Sequence, residues 1–254
     1  MSYQFIVISV SDERRRALEA QFREIKVTVP IRFLEPSLIS NSQDYLPTGL
    51  STNRLKILCC SRDHLRAIEY AAFPDSPEFT VIFEDDAAMH KTQFLHSIEE
   101  IIANWETLVA PNKMASLGWI PCNNYKAYIK YESAGSLKCI LGSKLINNIY
   151  FPGLQSYIVR KRDVAPLIKD IIHPTYEKLK EHLTSLNIRD LKCFDFETID
   201  DYLNRMLGQS AVFPPMAIER EVPSLIGHLN ATDHWDVFFK DYECLKNDYI
   251  TFSN

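Results

Sequence analysis

Glycine is scarce, with seven residues in a chain of 254. A nucleotidyltransferase generally places a glycine-rich phosphate loop early in the chain, and none is present here, which weighs against that class. The six cysteines, at positions 59, 60, 122, 139, 193 and 244, show no C-x-x-C spacing that would present four thiolates to zinc, so they are expected to be reduced and packed. A formal charge of -5 without any long block of Lys or Arg argues against a nucleic-acid footprint and is compatible with a local basic cleft for a sugar diphosphate. No segment approaches the roughly 18 apolar residues needed to cross a bilayer. The opening residues 3–10 are short and strand-like rather than basic and then apolar, as a secretory leader would be. These absences point to a soluble cytoplasmic protein, a setting compatible with peripheral contact with a membrane.

What the chain does have is 46% hydrophobic residues, enough for the core of one α/β domain over residues 1–254. Its most informative stretch is Phe79-Thr80-Val81-Ile82-Phe83, followed at once by Glu84, Asp85 and Asp86. A run this apolar reads as a buried strand of a parallel sheet, and its polar end then opens at the carboxyl edge, where α/β proteins bind ligands. Three consecutive carboxylates raise the free energy unless a cation neutralises them. Hard oxygen donors suit Mg²⁺ or Mn²⁺, which also hold phosphate oxygens. A solvated acidic turn after a strand is the plainer alternative.

Elsewhere the pattern predicts strands over 5–10, 27–34, 114–119, 153–159 and 211–218, the last interrupted by proline. Helices are expected from Asp12, over 55–72, 94–108 and 163–172, and from Thr198 to Gly208, the last with a cap residue, an acidic first turn and a terminal glycine. Beyond Pro174 a second helical segment reaches about residue 186. Residues 35–53 are rich in Pro, Ser, Asn and Gly and read as a loop of functional length that forms a flap beside a pocket. The Tyr-rich stretch 121–152 stays unassigned and suits acceptor recognition, and a long irregular tail closes the chain.

In order and content, several segments resemble glycosyltransferase family 25, the lipooligosaccharide galactosyltransferase-like group. They are Cys60-Ser61-Arg62-Asp63-His64-Leu65, Phe83-Glu84-Asp85-Asp86-Ala87, Trp105, Leu117-Gly118, Gly153-Leu154-Gln155-Ser156-Tyr157-Ile158, Ile199-Asp200-Asp201-Tyr202-Leu203 and Pro223-Ser224-Leu225-Ile226. Two departures stand out: Ser61 and His64 are separated where the family places them together, and Ser156 occupies its usual small-residue position. The resemblance implies a GT-A-like single domain with a mixed, mainly parallel sheet flanked by helices. Residues 1–120 would form the nucleotide-sugar-binding half, and 121–254 the acceptor-side half and tail.

The activity so implied is a metal-dependent, inverting transfer of a hexose from a UDP-sugar to a glycan hydroxyl, with Mn²⁺ or Mg²⁺ as cofactor. On this resemblance Asp86 binds the metal, and Glu84 and Asp85 hold ribose hydroxyls or metal-bound water. His228 supplies the second metal ligand, with His234 as the alternative. Asp200 is the catalytic base, with Asp201 as the fallback. Ser9, Val10 and one of Arg14, Arg15 and Arg16, with Arg15 foremost, border the nucleotide, while Gln155 and Tyr157 border the donor sugar. Each of these residues also has a plainer reading: strand-end salt bridge, solvated charge or helix cap. Trp119 either stacks on a sugar or belongs to the core. A catalytically silent module that binds a sugar nucleotide or glycan is the main alternative to an enzyme.

Overall fold

Six residues near the start of the chain, Tyr3–Ile8, form strand β1, whose side chains alternate between two apolar layers. Successive strand residues point to opposite faces, so Phe5 and Val7 enter one layer while Ile6 and Ile8 enter the other. A strand buried on both faces requires helices on both sides of the sheet. The computed structural model describes residues 2–9, 11–35, 52–120, 138–141, 153–169, 199–213, 215–219, 235–236, 239–240 and 247–249. After β1 come α1 (Asp12–Glu24), β2 (Ile31–Leu34), α2 (Thr52–Ala71), β3 (Phe79–Glu84), β4 (Ala87–Met89), α3 (Phe94–Ala103), α4 (Trp105–Leu108) and β5 (Met114–Gly118). Then follow β6 (Lys138–Leu141), β7 (Ser156–Arg160), α5 (Lys161–Leu167), α6 (Ile199–Leu207), β8 (Gln209–Phe213) and β9 (Ala217–Glu219).

The strands make one mixed sheet in the order β2-β1-β3-β7-β5-β8-β6, with β9 joined to β5 and β4 to β9. β1 runs parallel to β2 and β3, and β5 parallel to β8 and β9. β7 enters between β3 and β5 antiparallel to both, and β6 and β4 are antiparallel to β8 and β9. Parallel and antiparallel pairings are therefore balanced. On one face Leu18 and Phe22 of α1 and Phe94, Ile98 and Ile101 of α3 pack against Phe5, Val7, Val81 and Phe83. On the other, Leu65 and Ile68 of α2, Val164 of α5 and Ile199, Leu203 and Leu207 of α6 pack against Ile6, Ile82, Tyr157 and Val159.

Several boundaries differ from the sequence expectations for physical reasons. The helix expected over 94–108 is divided at Asn104, whose side chain bonds the Glu100 carbonyl; such local bonding competes with helix continuation. The strand expected over 211–218 becomes β8 and β9, separated at Pro214 and Pro215, where the sheet lacks N–H donors. The strand expected from Gly153 starts at Ser156, since Gly153 has φ of 95°. The strand expected over 27–34 starts only at Ile31. The helix expected to end at Gly208 does so, with that glycine at φ of 65°. Of the flap expected over 35–53, residues 36–51 lie outside the described residues while Thr52 and Asn53 already belong to α2; most of 121–152, the helical segment after Pro174 and most of the tail also lie outside the described residues.

One buried polar side chain ties α1 to β4, directly after the acidic turn that follows β3. Gln21 lies on the inward face of α1 between Leu18 and Phe22, and its amide donates to the Ala87 carbonyl at 3.0 Å. Its carbonyl accepts from the Met89 N–H at 2.9 Å. Both backbone partners are buried and would be left unsatisfied by an apolar replacement, at about 1–3 kcal/mol each. Gln21→Leu is accordingly expected to lower unfolding free energy in urea by about 2–6 kcal/mol. A loss below about 1 kcal/mol would show that β4 does not depend on this clamp.

Candidate active site

The period of two along β3 sends its last side chains in different directions. Val81 and Phe83 face α1 and α3, and Ile82 faces α2, so Glu84 continues toward α2. Asp85 leaves the strand toward the start of α1. Its N–H donates to the Ile8 carbonyl at 3.1 Å, and its carboxylate accepts from the Ser9 hydroxyl at 2.9 Å. Ser11 caps α1 by accepting from the Arg14 N–H, which sets Arg14 in the first turn facing the acidic residues. The Arg14 guanidinium lies 3.6 Å from Asp85 and 3.3 Å from Asp86.

Glu84 meets a polar group embedded in the α2 layer. Cys60 and His64 stand one turn apart on α2, and Tyr157 on β7 shares their face because it pairs with Ile82, two residues before Glu84. His64 Nε2 is 2.9 Å from Glu84 Oε1, and Nδ1 is 3.0 Å from the Tyr157 hydroxyl. The Cys60 thiol donates a weak bond to the same Oε1 at 3.8 Å. His64 is 0% exposed, whereas the Glu84 side chain is 22% exposed. Burial, then the charges of Asp200 and Asp85, push Glu84 up to about 8. Burial brings His64 down to about 4 against neighbouring carboxylates that oppose the shift. Both shifts favour an uncharged pair with the proton on Glu84, which then donates to Nε2 while Nδ1–H donates to Tyr157; loss of that proton reverses the direction of the chain.

Asp200 is brought to this edge from the first turn of α6. Its carboxylate accepts from the Gly153 N–H at 2.7 Å, and its charge is felt at Glu84, His64, Cys60 and Tyr157. Gly153 is required twice over. Its φ is in the left-handed region, and a Cβ there would come within 2.5 Å of the Gln155 amide oxygen and 2.9 Å of Ile120. Gln155 is buried beside it, and its carbonyl accepts from the Glu84 N–H at 3.0 Å.

Of the residues singled out in the sequence, Ser9, Glu84, Asp85, Asp86, Gln155, Tyr157 and Asp200 are thus gathered at the ends of β1, β3 and β7. Asp201 follows Asp200 on α6 and is half-buried. Arg15 turns elsewhere: it is 42% exposed, bonds Glu19 at 3.1 Å and lies over the Phe33 ring at 4.1 Å, leaving Arg14 to face the carboxylates. Trp119 is fully buried with its indole N–H on the Val212 carbonyl, a core position. Val10, His228 and His234 lie outside the described residues. Sequence reasoning left His64 without a role. The available signal was Cys60 and His64 at i and i+4 on a helix with an apolar face directly before the acidic strand.

Two donor sets invite comparison as metal sites. Cys60, His64 and Glu84 offer ligand atoms within 4.8 Å of one another. However, both His64 ring nitrogens are already engaged, and burial and nearby carboxylates push the Cys60 thiol well up, so it keeps its proton. This set acts as a hydrogen-bonded network. Asp85 and Asp86 present hard oxygens of the kind Mg²⁺ and Mn²⁺ take, so the chemistry of this set fits the ion, although Arg14 lies against both carboxylates and would have to share them.

The Glu84–His64 pair makes a pH-dependent contribution in chelated protein. Between about pH 4.5 and 6.5 the unfolded pair holds one proton on histidine and the folded pair one on Glu84, so stability is flat there. From 6.5 to about 8 the unfolded pair has released its proton while the folded pair keeps it, so stability falls as pH rises, by at most about 2 kcal/mol. In chemical unfolding, Glu84→Gln should gain on wild type across this window. Parallel pH profiles would contradict a proton held at Glu84.

No protein-family model matches the sequence, and no curated protein matches it. Among solved structures, the galactosyltransferase LgtC, in complex with donor and acceptor sugar analogues, is 13% identical, with 98% of this chain and 98% of that chain covered at a TM-score of 0.46. A glycosyltransferase involved in glycosylation of the major capsid of PBCV-1 is 12% identical, with 95% and 92% covered at 0.37. The glycosyltransferase GlyE of Streptococcus pneumoniae TIGR4 is 9% identical, with 100% and 67% covered at 0.41. Likeness at this level assigns neither fold family nor function.

Proposed function

We propose that the protein is a GT-A-like, metal-dependent glycosyltransferase that moves a hexose from a UDP-sugar to a glycan hydroxyl with inversion. One observation carries this reading. Glu84, Asp85 and Asp86 end a central buried strand beside the end of β1, and Asp200 is brought to the same edge from α6. The order of sequence segments resembling glycosyltransferase family 25 supports it.

In this reading Asp86, with a second ligand from the His228 or His234 region, holds Mn²⁺ or Mg²⁺, which when bound neutralises charge on the departing diphosphate. Arg14 offers further positive charge at the same edge, and Glu84 and Asp85 orient ribose hydroxyls. Asp200 takes the proton of the acceptor hydroxyl as that oxygen attacks the anomeric carbon. The bond from that carbon to the diphosphate oxygen breaks, and its electron pair leaves with UDP. A catalytically silent sugar-nucleotide-binding module is the second reading. The Asp200 bond to the Gly153 N–H favours it, because that contact gives the carboxylate a structural task.

Asp86→Ala should leave the protein folded and reduce Mn²⁺-dependent UDP affinity in calorimetry by about 10-fold or more, the scale of one lost charged contact. Unchanged affinity removes Asp86 as a ligand. Asp200→Asn keeps an oxygen for the Gly153 N–H, so stability and UDP affinity should persist while transfer drops by about 10²- to 10⁴-fold. Near-normal turnover in that variant would falsify the base assignment. Donor binding by wild type with neither transfer nor donor hydrolysis would select the silent module.

A further inference from the structure

We propose that Tyr157 and His64 are positioning residues that hold Glu84 with Oε1 turned into the protein and Oε2 left to the exposed side, where it accepts a hydrogen bond from a ribose hydroxyl of the nucleotide. This inference rests on the UDP-sugar reading above and adds to it how the acidic residue nearest the core is aimed. Tyr157 is 0% exposed and its hydroxyl is engaged by His64, so it acts through its neighbour and does not touch a ligand. The two rings stack at 5.7 Å with an interplanar angle of 29°. This arrangement restricts the imidazole to an orientation that delivers Nε2 to Glu84 Oε1 at 2.9 Å.

Among the described residues, the side-chain contacts to Glu84 are one-sided. His64 and Cys60 both bond Oε1, from the α2 layer, while the Glu84 backbone is fixed by its N–H on the Gln155 carbonyl. A glutamate side chain gives up much rotamer freedom when fixed. Here the fold fixes it in advance, which favours a ligand hydroxyl that needs an acceptor in one place. Whichever way the protons run between Tyr157, His64 and Glu84, the same oxygen stays engaged and the other stays available.

The test measures discrimination between UDP and its 2′-deoxy and 3′-deoxy analogues by calorimetry with Mn²⁺ at fixed pH, in wild type, Tyr157→Phe and His64→Gln, with melting temperatures alongside. A hydrogen bond to an uncharged carboxyl corresponds to about 3- to 10-fold, and wild type should prefer UDP by that factor over at least one analogue. Tyr157→Phe removes one oxygen atom and His64→Gln keeps a side-chain donor, and each should still bind UDP with the preference lost to within about 1.5-fold. A general loosening would weaken UDP and the analogues alike and leave their ratio intact. Wild-type discrimination in either folded variant therefore overturns the positioning chain. Wild type that binds UDP without discrimination overturns the ribose contact alone, and wild type that binds no UDP overturns the donor reading together with this inference.

Discussion

Like-charge repulsion at the carboxyl end of β3 is the constraint around which the rest of the site is arranged. Two carboxylates about 4 Å apart repel by about 4 kcal/mol at the effective dielectric of a protein surface, and this edge gathers Glu84, Asp85 and Asp86, with the charge of Asp200 acting on Glu84. The fold relieves the repulsion in a different way at each position. Glu84 keeps its proton and bonds His64, Asp85 takes the Ser9 hydroxyl, and Arg14 lies against both aspartates. Compensation by an arginine near the surface is adjustable, since the guanidinium can hand the carboxylates to another cation or serve a diphosphate itself.

The arrangement follows from alternation along the strands. Because Glu84 and Asp85 are neighbours in sequence, they point to opposite layers: one into the polar group on α2, the other to the capped start of α1. Gln21 secures the chain immediately after them, and Gly153 with Asp200 secures the segment entering β7. Three elements distant in sequence thereby converge on one edge with few degrees of freedom left to the side chains.

Much of this was legible in the sequence. The apolar run before Glu84 fixed β3 as buried on both faces, and the cap, acidic turn and terminal glycine around residues 198–208 marked α6. The direction of β7 was not legible, because pairing is decided by tertiary packing rather than by local pattern. Arg14 and Arg15 are adjacent in one charged run, and only the phase of α1 shows that the first faces the carboxylates and the second faces Phe33. His64 looked like an ordinary helix residue. Its role depends on Tyr157 and Glu84, 93 and 20 residues away, which no local period brings together.

The proposed function requires that Asp86, rather than the Cys60–His64–Glu84 network, receives a divalent cation together with a nucleoside diphosphate. Anomalous scattering at the manganese edge from crystals grown with Mn²⁺ and UDP tests this directly. The account predicts a peak at the Asp86 carboxylate, beside the bound UDP. A peak among Cys60, His64 and Glu84, or bound UDP with no manganese beside Asp86, would contradict it.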